Sequence, residues 1–456
     1  MDTTKLKEQL FYSKKNVFET ADAEPAYEYA RDYMRFLDAA KTEREAVREG
    51  IRMAEAAGFT AWELGEKLSV GDKKYFNNRG KNLFLFTVGR EPLEEGIRIA
   101  AAHIDSPRLD LKQCPVYEDG GMGFFKTHYY GGIRKYQWVA TPLALHGVVV
   151  KADGERVEIL IGEDDNDPIF YINDLLPHLG AEQNKKPLAE AIPGEKLNVL
   201  AGSRPCGEGQ DAIKLNILRL LNEKYGITEE DFLSAELSAV PAAKARDVGL
   251  DRSLIGAYGH DDRVCAYPAL TAIIDNKDSG HTLMCILADK EEIGSEGITG
   301  MKCDVMEDIM NAISAAKGAN PAVVRAHSRC LSADVSAAYD PNFAEVYEKR
   351  NSSLINCGVV LCKYTGARGK SSTNDASAEY IGWLRGIMAR DNVVWQTGEL
   401  GKVDAGGGGT VAMFIAKHNI ETVDLGVPVI AMHAPYEIIA KTDLYEAARA
   451  FGAFFK

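Results

Sequence analysis

Residues 282–292 read Thr-Leu-Met-Cys-Ile-Leu-Ala-Asp-Lys-Glu-Glu. The first seven form a short uncharged run, and four charged residues follow at once. A run that is apolar at nearly every position, not at every second one, suits a strand buried on both faces of its sheet. Such strands belong to α/β architectures, in which helices cover both faces. The surrounding pattern agrees. Val264–Ile274 before the run and Val305–Lys317 after it have helical character. Upstream, residues 81–88 and 96–102 read as strands, the second running straight into His103. Downstream, Asn356–Lys363 and Val427–Met432 read as strands, and Ala376–Ala389, Gly409–His418 and Thr442–Phe455 as helices. Residues 25–58 read as one helix, with Tyr29, Tyr33, Phe36 and Leu37 on one face and Gly58 as its stop.

The texture changes near residue 115. Gly120, Gly121, Gly123, Gly131 and Gly132 punctuate a stretch that also holds Phe124, Phe125, Tyr129 and Tyr130. Leu145–Lys151 and Val157–Ile161, separated by Ala-Asp-Gly-Glu, give a hairpin signal. Residues 163–211 are polar with no clear period, and a charged helix then ends near Tyr225-Gly226. Ala235–Val240 reads as a strand. The expected organisation is a discontinuous α/β domain, residues 1–113 and 235–456, interrupted by a β-rich insertion at 114–234.

Composition bounds the function. The 456 residues are 46% hydrophobic and 26% charged, ordinary for a globular protein with a large core. The net charge of −14 disfavours nucleic acid or an anionic membrane as a general partner. The opening MDTTKLKEQLFYSKK has no signal-peptide core, and no apolar run has the length of a membrane span. Eight scattered cysteines without a CxxC pair argue against thiolate zinc and for free thiols in a reducing cytoplasm.

Five segments carry residues able to do chemistry at or near element ends: His103, Asp261 with Asp262, Glu291 with Glu292, Asp334 and His433. In open α/β sheets ligands bind beyond the carboxyl ends of strands, so these segments are expected to meet in one crevice. Two histidines with several carboxylates suit zinc, cobalt or manganese. A pair of ions about 3.5–4 Å apart needs a bridging carboxylate and a nearby base. Each segment alone has a plainer reading. A histidine at a strand end is commonly structural, Glu-Glu on a loop is solvated, and an Asp before a helix, as at 261 or 334, caps that helix. The glycines at 406–409 lack the company of a nucleotide-binding loop and read as a tight turn beside the site.

Taken together, the chain resembles the M18 family of metallo-aminopeptidases, the aspartyl aminopeptidase family. The matching stretches are His-Ile-Asp-Ser-Pro (103–107), Tyr-Gly-Gly-Ile (130–133), Gly-His-Asp-Asp-Arg (259–263), Glu-Glu-Ile-Gly-Ser (291–295), Ser-Ala-Asp (332–334) with Asp-Pro-Asn (340–342), and Asp-Leu-Gly-Val-Pro-Val-Ile-Ala-Met-His (424–433). The resemblance implies a mixed sheet flanked by helices, with the insertion serving dimerisation. It implies two divalent ions per chain, zinc foremost. His103 and Asp334 would hold one ion, Glu292 and His433 the other, and Asp261 would bridge them. Glu291 would be the general base for the water between the ions, and Asp105 would orient His103. The implied substrates are short peptides with free N-termini, shortened by one residue at a time. The implied assembly is a dodecamer built from dimers, with no nucleic acid or membrane partner. His178, in Pro177-His178-Leu179, matches a family position that reaches a neighbouring subunit's site, but Glu182 stands where the family's second histidine is expected. The alternatives are a related di-metal deacylase or carboxypeptidase, and an inactive shell protein.

Overall fold

A computed structural model describes residues 3–456. Met1 and Asp2, the start of the N-terminal stretch read above, lie outside the described residues. The central element is a nine-stranded mixed sheet. Its middle consists of four parallel strands in the order Thr282–Ala288, Ile97–His103, Arg329–Ala333 and Glu421–Gly426. Every residue of Thr282–Ala288 is buried. Leu283, Cys285 and Leu287 enter the core on one face, and Met284, Ile286 and Ala288 the core on the other. The period of two along the strand thus feeds two cores, which is why the sequence is apolar throughout. Truncating one of these leucines to alanine would cost about 2–5 kcal/mol. Helices Glu43–Ala56, His260–Asp275 and Lys441–Phe455 pack on the first face, and Val305–Lys317 on the second.

The single helix expected over 25–58 is two, Glu24–Ala39 and Glu43–Ala56. Thr42 breaks the run by capping the second helix. Its Oγ1 accepts the Glu45 N–H at 3.3 Å, and its own N–H donates to Glu45 Oε2 at 3.0 Å. The buried Lys41 beside it donates to Glu163 at 2.6 Å, tying the break to the insertion. A helical period cannot reveal a three-residue break that capping makes favourable.

The second sheet has seven antiparallel strands around its own core. Its first strand in the chain is Arg108–Asp119 and its last is Ala235–Pro241, which pairs with both Arg108–Asp119 and Leu143–Val150. The hairpin expected from 145–161 is present as Leu143–Val150 and Arg156–Ile161. Helix Ala212–Tyr225 ends on Gly226 in the left-handed region, as its sequence implied.

A third, five-stranded sheet was not anticipated. It contains Leu254–Ala257, Glu437–Ala440 and Pro428–Ile430. The strand read at Val427–Met432 therefore belongs here, and the main sheet takes Glu421–Gly426 instead. Both segments are short and apolar, and periodicity alone does not say which sheet recruits them. The helix read at Gly409–His418 shortens to Ala412–Ala416.

Candidate active site

Register brings the candidate residues to one edge. Ala288 lies opposite His103, and Ala333 opposite Ala102. The chain segments leaving these three parallel strands therefore emerge together, carrying Glu291 and Glu292, His103 to Asp105, and Asp334. Asp334 follows a strand and does not cap a helix, as its sequence setting suggested. The neighbouring strand end crowds it. A Cβ at Gly426 would fall 1.8 Å from the Asp334 carbonyl oxygen, so only glycine allows this approach. Asp261 and Asp262 enter from the start of helix His260–Asp275, where their backbone is not yet helical and the peptide between them is cis. His433 arrives from the small sheet, in the left-handed region at φ +64°.

These side chains converge. His103 Nε2 lies 3.1 Å from Asp261 Oδ1, and His433 Nε2 lies 3.2 Å from Asp261 Oδ2. His433 Nε2 is also 3.5 Å from Glu292 Oε2, and His103 Nε2 is 3.9 Å from Glu291 Oε2. Three donor groups have ligand atoms all within 4.8 Å of one another: His103, Asp261 and Asp334; Asp261, Glu292 and His433; and His103, Glu291 and Glu292. His103, Asp261 and Glu292 each belong to two of them. His178 stands apart, exposed on the short helical turn Pro177–Leu179. Of the glycines at 406–409, Gly406 lies against the Leu400 backbone and Gly407 against that of Gly366 and Ala367.

Each imidazole is held from behind. His103 Nδ1 lies 3.0 Å from the Asp105 carbonyl oxygen and 3.4 Å from Asp105 Oδ1. His433 Nδ1 lies 2.7 Å from the Gly132 carbonyl oxygen. A carbonyl only accepts, so each ring carries a proton on Nδ1 and turns Nε2 toward the carboxylates, where a bound ion would take the place of a second proton. The Asp105 carboxylate, fully buried, also accepts the N–H of Glu291 at 3.1 Å, the N–H of Glu292 at 3.2 Å and the Tyr130 hydroxyl at 2.8 Å. Asp262 Oδ2 accepts the N–H of His103 at 3.2 Å.

The electrostatics are those of crowded acids out of water. Burial, with neighbouring negative charge, pushes Glu292 and Asp334 well above the usual carboxylate range and Glu291 up to about 7. Asp261 goes the other way, because contacts with His103 and His433 outweigh its burial. The same carboxylates overcome desolvation at His433 and lift it to about 10. Asp261 Oδ1 and Glu292 Oε1 are buried without a hydrogen-bond partner among the described residues. Orphaned acceptors among surplus carboxylates and Nε2-facing imidazoles fit divalent cations, which would supply the missing positive charge.

Two contributors escaped the sequence reading. Glu437 is a buried carboxylate that accepts the N–H of Asp261 at 3.0 Å and of His433 at 2.7 Å. Its signal was a lone acid opening the apolar run Glu437-Ile-Ile-Ala. Tyr130 stands in the sequence within an aromatic stretch and a matching motif, with no role of its own, and its hydroxyl proves to face Asp105.

Comparison with known proteins gives a consistent result. The family model described as "Aminopeptidase I zinc metalloprotease (M18)" matches residues 36–455. A protein of Clostridium acetobutylicum described as "Probable M18 family aminopeptidase 1" is 51% identical over 432 residues, covering 92% of this chain and 93% of that one. The crystal structure of an M18-family aminopeptidase from Thermotoga maritima superposes with a TM-score of 0.94 at 43% identity, covering 98% of this chain and 100% of that one. A structure described as the S. cerevisiae mApe1 dodecamer shares the fold at a TM-score of 0.76 and 21% identity, covering 94% of this chain and 96% of that one.

Proposed function

The chain belongs to the M18 family of zinc aminopeptidases, and from that premise we propose how its residues divide the work. The protein is an aminopeptidase, a hydrolase of peptide bonds. The crevice would take two divalent ions, zinc foremost. His103 and Asp334 would hold one, Glu292 and His433 the other, and Asp261 would serve both. The observation that carries this is that the two oxygens of Asp261 face different imidazoles, Oδ1 at 3.1 Å from His103 Nε2 and Oδ2 at 3.2 Å from His433 Nε2. When bound, such ions would acidify a water and polarise the scissile carbonyl.

The protein groups do the rest. Glu291 takes the proton of the attacking water and delivers it to the leaving amine. In the ion-free protein burial pushes the Glu291 carboxyl up to about 7, the direction a general base working near neutral pH needs. Asp105 fixes the backbone of the base and of the adjacent ligand through their two N–H groups. The preferred reading of the substrate is a short peptide with a free N-terminus.

The β-rich insertion, expected at 114–234 and built on the sheet that runs from Arg108 to Pro241, serves dimerisation. Leu160, Leu176, Leu179, Leu188, Leu215 and Leu220 are exposed on it, apolar surface that a subunit contact would cover. Dimers assemble into a dodecamer, as in the yeast relative of the same fold. His178 sits on this exposed surface, where a neighbouring subunit can meet it. No helix among the described residues is long and apolar enough to cross a membrane, and the eight cysteines are free thiols. The thiols support a cytoplasmic location.

The test is hydrolysis of a panel of aminoacyl anilides by metal-stripped protein, with zinc, cobalt or manganese added back, beside N-acetylated counterparts. Restoration by metal and rejection of the acetylated substrates are expected. Equal cleavage of both would favour the deacylase alternative, and metal-independent cleavage would remove the ions from the mechanism.

A further inference from the structure

Tyr130 ends the strand Met122–Tyr130 of the seven-stranded sheet, and the next two residues turn into the crevice of the main domain. This turn touches both sides of the candidate ion site. The Tyr130 hydroxyl donates to Asp105 Oδ2 at 2.8 Å. Asp105 in turn receives the N–H groups of Glu291 and Glu292. Two residues on, the Gly132 carbonyl accepts from His433 Nδ1 at 2.7 Å. Between them, Gly131 takes φ +75°, and a Cβ there would lie 3.1 Å from Glu292 Oε2. No side chain is accommodated without displacing that carboxylate.

The turn is itself anchored. Arg108 stands opposite Tyr130 in the sheet, with its guanidinium 4.0 Å from the centre of the phenol ring. Glu43, on a main-domain helix, and Asp110, on the insertion strand, each hold Arg108 at 2.8 Å. Burial keeps the phenol protonated, so it acts as a donor. A rigid sheet end with its tyrosine pinned from behind is what a supporting shell needs, because first-shell ligands are only as well placed as the groups that orient them.

We propose that Tyr130–Gly132 is a positioning element supplied by the insertion to the active site, with Tyr130 setting the base Glu291 and one ligand of each ion, His103 and Glu292, through Asp105, and Gly132 setting the His433 ring. The insertion is then a working part of the catalytic centre besides any role in assembly. This rests on the ligand reading given under Proposed function.

Tyr130→Phe deletes one oxygen and leaves the ring under Arg108. Three quantities decide the matter: kcat and KM, zinc affinity by competition with a chelating dye, and the visible absorption of the cobalt-loaded protein. The expected result is a fall of roughly 10–100-fold in kcat or zinc affinity, the scale of lost outer-shell support. KM should change little, and the cobalt bands should shift. Wild-type kcat, affinity and cobalt spectrum in the variant would overturn the proposal. So would a lowered melting temperature of the stripped protein with those three unchanged, which is the mark of a purely structural tyrosine. If Tyr130→Phe does not fold, Gly132→Ala takes its place. Its Cβ would lie 3.3 Å from His433 Nδ1, and it should perturb the cobalt spectrum, with an unperturbed one counting against the proposal. Failure of wild-type protein to bind cobalt at all would instead refute the ligand reading.

Discussion

Glu437 stands directly behind Asp261, one oxygen of its carboxylate taking the Asp261 backbone N–H at 3.0 Å. Its other oxygen takes the N–H of His433 at 2.7 Å. One buried acid thus fixes the backbone of two residues that arrive from different elements. In Glu437→Gln only one amide atom can accept, and the other opposes an N–H. Ion affinity should fall by roughly 10–100-fold with the fold retained. Titration of the stripped variant against a chelating dye checks this, and wild-type affinity would remove Glu437 from the support of the site.

Glu291→Gln should keep its ions and lose turnover by roughly 10²–10⁴-fold, the usual scale for a missing general base. Elemental analysis and steady-state kinetics on the same preparation separate the two effects. Near-normal turnover with ions bound would assign the proton transfer elsewhere.

The metal-free protein should become less stable as pH rises. Burial holds Glu291 and Asp424 up to about 7 and Glu437 up to about 8, all above their unfolded values near 4. The folded state therefore keeps protons that the unfolded state has released, and unfolding gains favour as pH climbs from about 4 to 8. His433, raised to about 10 by Asp261 against its own burial, continues the trend at higher pH. Cations displace these protons, so zinc should stabilise more at pH 8 than at pH 6. Melting curves of stripped and zinc-loaded protein at both values test it; a stripped protein that melts higher at pH 8 would contradict the argument.

Assembly gives a size prediction. Light scattering at micromolar concentration should report a particle near twelve chains, and folded proteins should resist cleavage while short peptides do not. Replacing exposed Leu179 and Leu188 by Asp should break the particle into smaller species. A fully active monomer would exclude both the assembly and an enclosed chamber.

Sequence made part of this site legible for a physical reason. His103 and the Glu291–Glu292 pair sit just beyond long apolar strands, where pattern reading is strongest. Asp261 stands out through its doubled acid before a helix. Asp334 was harder, because the strand Arg329–Ala333 has only five residues and includes Arg329 and Ser332. His433 was recognised, but the strand before it was assigned to the wrong sheet. Glu437 and Tyr130 had no spacing to betray them. They act through main-chain N–H groups and a neighbouring carboxylate, and those contacts exist only after the sheets have formed.

The candidate ligands are spread from His103 to His433, and the main sheet interleaves strands from distant parts of the chain. On the ligand set proposed above, a chain emerging from the ribosome would hold no complete ion pocket until residue 433 had been made and the small sheet had closed. Activity would then wait for a finished chain.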